Sequence, residues 1–144
     1  MRALLDVNVL IAIFDTDHIY HSHAIAWCEQ NLHHGWASCP ITQNGCIRIM
    51  SQPSYPNGAF PILDVKNRLL TATSHFSHQF WSDNLSLSDD SIFNWNHIQG
   101  HRQLTDAYLL ALAVSHSGCF VSFDKRMDFH IVNGAKLEQL VTLK

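Results

Sequence analysis

Residues Ala3 to Val7 form a short apolar run, and after Asn8 the apolar positions Val9 to Phe14 continue with a change of period. Together they predict a buried strand turning into a helix. From about His18 to Leu32, the residues Ile19, Ala24, Ile25, Trp27, Cys28 and Leu32 fit a helix, and His33-His34-Gly35 closes it with glycine at the stop position. Trp36 to Cys39 predicts a second short strand. Pro40 stands where a helix can start, Ile41, Gly45, Cys46, Ile47, Ile49 and Met50 follow, and Pro53 ends the segment.

Ser51 to Phe60 carries Pro53, Pro56, Asn57 and Gly58 and reads as a loop, too short to link two domains. Pro61 opens another helical pattern through Ile62, Leu63, Val65, Leu69 and Leu70. His78 to Trp81 predicts a strand, and Ser88 to Trp95 a helix with Ser88 as cap and Asp89-Asp90 in its first turn. Asn96 to Arg102 is polar loop. Thr105-Asp106 then precedes a strongly apolar helix, Ala107 to Ser115, stopped by Gly118, and Cys119 to Phe123 predicts a strand ending at Asp124. Beyond it, only a turn at Gly134 and a last strand at Leu140 to Leu143 stand out. Strands alternating with helices imply right-handed crossovers, hence an α/β fold with a mostly parallel central sheet flanked by helices on both faces.

Composition narrows this picture. The 144 residues suit one domain spanning 1–144, and 47% hydrophobic against 15% charged residues excludes a disordered or polyelectrolyte chain. No apolar stretch reaches the roughly 18 to 20 residues that span a bilayer, and Asp6 falls where a signal peptide needs its apolar centre. The expectation is a cytoplasmic protein with no membrane partner. The formal charge of −3 leaves out eleven histidines, each roughly a quarter protonated near neutral pH, so charge names no partner. Cys28, Cys39, Cys46 and Cys119 form no C-x-x-C pair and read as reduced, mostly buried thiols.

The acidic residues are lopsided, ten Asp against two Glu, which favours loops, caps and metal sites over solvated helix faces. Ligand sites in parallel sheets lie beyond the carboxyl ends of the strands, and two apolar strands end in aspartate, at Asp6 and Asp124. Asp106 opens the helix that leads into the second of them, so its N-terminus is expected at the same rim. Taken singly, Asp106 also reads as a helix-start charge after a Thr105 cap and Asp124 as a turn residue. Jointly, three carboxylates within a few ångströms repel one another and shift upward in pKa unless a cation neutralises them, which points to Mg²⁺ or Mn²⁺.

The motifs Leu4-Leu5-Asp6-Val7-Asn8-Val9-Leu10-Ile11, Thr42-Gln43-Asn44-Gly45-Cys46-Ile47-Arg48-Ile49, Gly100-His101-Arg102-Gln103-Leu104-Thr105-Asp106-Ala107-Tyr108-Leu109-Leu110-Ala111-Leu112-Ala113 and Phe123-Asp124 resemble the PIN-domain family, specifically VapC-type toxin ribonucleases. The resemblance covers essentially the whole chain. It implies a Mg²⁺- or Mn²⁺-dependent endoribonuclease of a type II toxin-antitoxin pair, with Asp6, Asp106 and Asp124 as acidic, metal-binding and catalytic residues, RNA as substrate, a small cognate antitoxin as partner and a homodimer as the usual assembly. Where the family commonly has Glu in the second motif, this chain has Gln43, whose amide oxygen still ligates or orients water but cannot act as a general base. Apolar residues near Trp27, Cys28 or Ile62 to Leu70 are candidates for core or for a subunit interface.

Arg48, His101, Arg102, Lys125 and Arg126 lie near the motifs and are candidate phosphate contacts, or ordinary surface charges. Asn8 is expected to hold the strand-to-helix turn through its amide. His97 and His101 have i,i+4 spacing, but in a segment that reads as loop they lack a third zinc ligand. Trp81, Trp95, Phe76 and Phe80 read as base-stacking residues or as core. Phosphatases of the haloacid-dehalogenase type and receiver domains also place Asp at a first strand end, yet position 8 is Asn, no Gly-Thr follows and Val7 is not acidic. The remaining rival is a catalytically weak or inactive PIN-like RNA-binding or protein-interaction module, with Gln43 in place of the usual Glu.

Overall fold

The computed structural model describes residues 1–125 and 127–144, which leaves Arg126 outside the described residues. Five short strands form one parallel sheet: β1 (Ala3–Leu5), β2 (Trp36–Ser38), β3 (His78–Phe80), β4 (Cys119–Ser122) and β5 (Leu140–Thr142), in the spatial order β3-β2-β1-β4-β5. The α-helices are α1 (Val7–Phe14), α2 (His21–Asn31), α3 (Pro40–Met50), α4 (Ile62–Thr73) and α5 (Leu104–Ser115). The expected α/β architecture is therefore observed.

Side chains alternate across the pleat and feed two cores. Ala3, Leu5, Trp36, Cys119 and Val121 face one side, with Val9 and Leu10 of α1, Cys46 and Met50 of α3, and Val65 and Leu69 of α4. Leu4, Ala37 and Phe120 face the other, under α5. The buried run Ala107 to Ala113 explains why α5 lacks a polar face: the sheet covers one side, and Phe93, Ile131, Val132 and Trp81 belong to the same cluster. All four cysteines are buried and free, as expected, and burial pushes the Cys46 thiol up to about 12.

Two boundaries differ from the sequence reading. The first strand stops at Leu5, because Asp6 caps α1 by accepting the Val7 N–H at 2.7 Å. The predicted helix over Ser88 to Trp95 does not form. Asp89 Oδ1 instead accepts from the Ser91 N–H and hydroxyl, at 3.0 and 2.6 Å, a local bonding that competes with a helix. The backbone then bonds across to residues 131–133: Asn94 N–H donates to Ile131 O and Asn133 N–H to Ile92 O, both at 2.8 Å. Phe93 and Val132 form an isolated antiparallel bridge, and Trp95–His97 is one turn of 3-10 helix.

Candidate acidic site at the carboxyl rim

Asp6 leaves the central strand with one oxygen spent on capping α1. Its other oxygen accepts the Ser122 hydroxyl at 2.6 Å. This contact follows from register, since Leu5 pairs with Val121 and Asp6, just past β1, therefore stands beside Ser122, the last residue of β4. The same Ser122 oxygen accepts the Asp124 N–H at 3.0 Å and the Asn8 side-chain amide at 3.3 Å. Asn8 also accepts the Phe123 N–H through Oδ1 at 3.4 Å, so its amide clamps the exit of β4, while the strand-to-helix turn expected of it is capped by Asp6. Ser122 was not legible as a site residue from sequence.

Asp106 stands in the first turn of α5. Burial, then the charges of Asp6 and Asp124, then a hydrogen bond with Asp124 push its carboxyl up to about 7. Burial also raises Asp6, with a smaller push from Asp124, against the bonds from Ser122 and Val7 that favour its ionised form. The three sequence-predicted aspartates thus sense one another across more than a hundred residues of chain. Among the described residues no three His, Cys, Asp or Glu side chains stand as a ready metal-ligand group.

Around this centre are three hollows. Asp6 shares one of about 440 Å³ with Asn44, Arg48 and Thr105. Gly45 lets α3 approach there, for a Cβ on it would stand 2.7 Å from Val7 Cγ2. Asp124 lies in a second, of about 550 Å³, with Asn8, Arg102, Phe123 and Lys125, and in a third with His101 and Arg102. Four of the predicted phosphate contacts, Arg48, His101, Arg102 and Lys125, therefore border hollows that contain Asp6 or Asp124. Arg126 lies outside the described residues. Gln43 lines none of these three hollows; its Nε2 donates to Ser38 Oγ at 3.0 Å, which meets His78 Nε2 at 2.8 Å.

The other candidate groups lie elsewhere. His97 sits 3.4 Å from Asp128 rather than pairing with His101, which belongs to a separate 3-10 turn. Trp81 is 2% exposed and stacks on His116, so it serves the core. Cys28, Val65 and Leu69 are buried, while Ile62, Leu63 and Leu70 are exposed. None of the helices among the described residues is long and apolar enough to cross a membrane.

Comparison with known proteins gives one match over nearly the whole chain and others over most of it. The chain is 46% identical over 143 residues to Ribonuclease VapC44 of Mycobacterium tuberculosis, covering 99% of this chain and 100% of that protein. It is 38% identical over 122 residues to Ribonuclease VapC38 of the same organism, covering 85% and 84% of the two chains. Ribonuclease VapC39, also from that organism, is 39% identical over 124 residues, covering 86% and 89%. No family model matches the chain.

Proposed function

The chain belongs to the VapC ribonuclease family, and on that premise we propose that it is an endoribonuclease, the toxin of a toxin-antitoxin pair, hydrolysing RNA phosphodiester bonds at Asp6, Asp106 and Asp124. The observation that supports this most is the raised Asp106 carboxyl, pushed up to about 7 by burial and by the two other aspartates. Such mutual repulsion is relieved by a cation, and a donor set made wholly of oxygen suits Mg²⁺ or Mn²⁺. Asp6, Asp106 and Asp124 would hold the ion, with waters completing its shell. When bound, it supplies a Lewis acid for the phosphate and a water of lowered pKa.

The chain's own groups do the positioning. Ser122 favours the ionised form of Asp6 against the opposing effect of burial and fixes one of its oxygens. Without a cation Asp106 retains its proton up to near neutrality, and beside a bound cation it would take the ionised, ligating form. Arg48 beside Asp6, and His101, Arg102 and Lys125 beside Asp124, are assigned to phosphates of the RNA, with Arg126 assigned on sequence alone. Gln43, tied to Ser38, is assigned an orienting part rather than that of a base. Water is the nucleophile, since the cysteines are buried and the Ser122 hydroxyl is committed to Asp6.

The partner is a small antitoxin that places an Arg or Lys side chain in the acidic site. The exposed apolar residues Ile62, Leu63 and Leu70 of α4 are assigned to a homodimer contact, and the site of action to the cytoplasm. The rival reading, a silent RNA-binding module, draws on Gln43 alone. Brief incubation of RNA with Mn²⁺ and the purified protein separates the two: cleavage that stops with EDTA and with folded Asp106→Asn supports the enzyme, and RNA bound but never cut supports the module.

A further inference from the structure

Tyr20 and Phe123 come from opposite ends of the chain and stack, with ring centroids 5.0 Å apart and planes 22° from parallel. Phe123 follows β4 and lines the hollow that holds Asn8, Arg102, Asp124 and Lys125. Tyr20 immediately precedes α2, belongs to neither buried cluster and is 42% exposed, next to Ile19 at 79%. Its position is fixed on both sides. The Tyr20 N–H donates to His18 Nδ1 at 3.0 Å, and His21 Nδ1 donates to the Ala12 carbonyl at 2.7 Å. His18 and His23 approach the Tyr20 ring tilted and edge-on, at 5.9 and 6.0 Å. Among the described residues, Phe123 is therefore the only ring stacked near-parallel on Tyr20.

An exposed aromatic ring stacked on Phe123, which itself lines a hollow with two cations and a carboxylate, has a specific chemical complement. The cations match phosphate, and the ring matches a flat heteroaromatic. We infer that Tyr20, backed by Phe123, is a stacking platform for one unpaired nucleobase of single-stranded RNA, flanking the phosphate that Arg102 and Lys125 hold. This rests on the reading of the chain as a ribonuclease. Both faces of a base inside a duplex are covered by its neighbours, so the platform selects loops, bulges and ends over helices. Two cations beside the rings favour a polyanion over a protein segment as the occupant.

The test uses the full chain and a short single-stranded RNA carrying the fluorescent base 2-aminopurine at each position in turn, in EDTA so that it is bound and not cut. One position should lose emission on binding. Tyr20→Ala should weaken binding about 5- to 150-fold, the range of base–aromatic stacking, and restore that emission, whereas Tyr20→Phe and Tyr20→Trp keep the affinity and the loss of emission. An RNA abasic at that position should bind the unaltered protein as weakly, and lose nothing further with Tyr20→Ala. The abasic comparison holds even if Tyr20→Ala folds poorly. RNA bound with equal affinity and unchanged emission by the unaltered protein and Tyr20→Ala overturns the platform alone. RNA neither bound by the unaltered protein in EDTA nor cut by it when Mn²⁺ is supplied overturns the ribonuclease reading as well. If Tyr20→Ala loses only the co-expressed antitoxin, the surface is a protein contact and the proposal fails.

Discussion

Ser122 donates its hydroxyl to Asp6 at 2.6 Å across two neighbouring parallel strands, and thereby ties the carboxylate of the first strand to the exit of the fourth. Removing that donor leaves a buried carboxylate short of a partner. Ser122→Ala should therefore raise the Asp6 carboxyl further, weaken Mn²⁺ binding and cost about 1–3 kcal/mol of stability. Calorimetric titration with Mn²⁺ reads the change in affinity and urea unfolding the change in stability. Unchanged Mn²⁺ affinity would remove Ser122 from the site.

Asp106 sets a trade between stability and function. Its folded pKa of about 7 lies above the unfolded value near 3.9. The native state thus binds more protons across that interval, and metal-free stability should fall as pH rises from about 4 to 7. Asp106→Asn should abolish cleavage yet unfold later than the unaltered protein at pH 7 without metal, by on the order of 1–3 kcal/mol. Earlier unfolding of that variant would mean that the carboxylates do not repel.

Gln43 offers a third measurement. Ser38, which accepts its amide at 3.0 Å, ends the strand beside β1 and so stands at the rim of Asp6. Gln43→Glu adds a negative charge there and should tighten Mn²⁺ binding. Gln43→Ala should lower cleavage less than Asp106→Asn does. Weaker or unaltered Mn²⁺ binding in Gln43→Glu would separate residue 43 from the metal.

Gly45 tests how closely α3 must approach. A methyl group there would meet Val7 Cγ2 at 2.7 Å, and valine has little freedom to turn away. Gly45→Ala should cost about 1–3 kcal/mol and slow cleavage, because Arg48 and Asn44 shift with the helix. Denaturant midpoints and initial rates check both, and a variant unchanged in each would show slack at this contact.

Asp15 controls the acid limb of stability. Burial raises its carboxyl, but the Tyr55 hydroxyl, the Asn57 amide and the Asp17 N–H, with the charge of His18, outweigh that and hold it below the ordinary carboxylate value. A depressed carboxyl stabilises the fold above its unfolded pKa near 3.9, and that stability is lost as pH falls through the folded value. Asp15→Asn should cost about 1–3 kcal/mol at pH 7 and flatten the decline below pH 4. Parallel curves for the two proteins would contradict this.

Much of the site was readable because parallel sheets present ligands at one rim. Asp6, Asp106 and Asp124 could be placed there from strand ends and a helix start alone. Ser122 and Asn8 could not, since their contacts depend on the register of β1 against β4, which no local pattern encodes. Tyr20 and Phe123 were hidden for the same reason, being a hundred residues apart. The segment from Ser88 to Trp95 misled because a Ser88 cap with Asp89-Asp90 in the first turn satisfies a helix start on paper, yet Asp89 and Ser91 bond locally to each other in the fold.

The strand order also bears on how such a protein is made. The first strand to leave the ribosome is the middle one of the sheet, and its neighbour β4 is not synthesised until residues 119–122. A nascent or prematurely terminated chain shorter than this carries Asp6 but neither Ser122 nor Asp124. Such a chain cannot bring the acidic rim together, so the carboxylates proposed for RNA cleavage become neighbours only after β4 has been made.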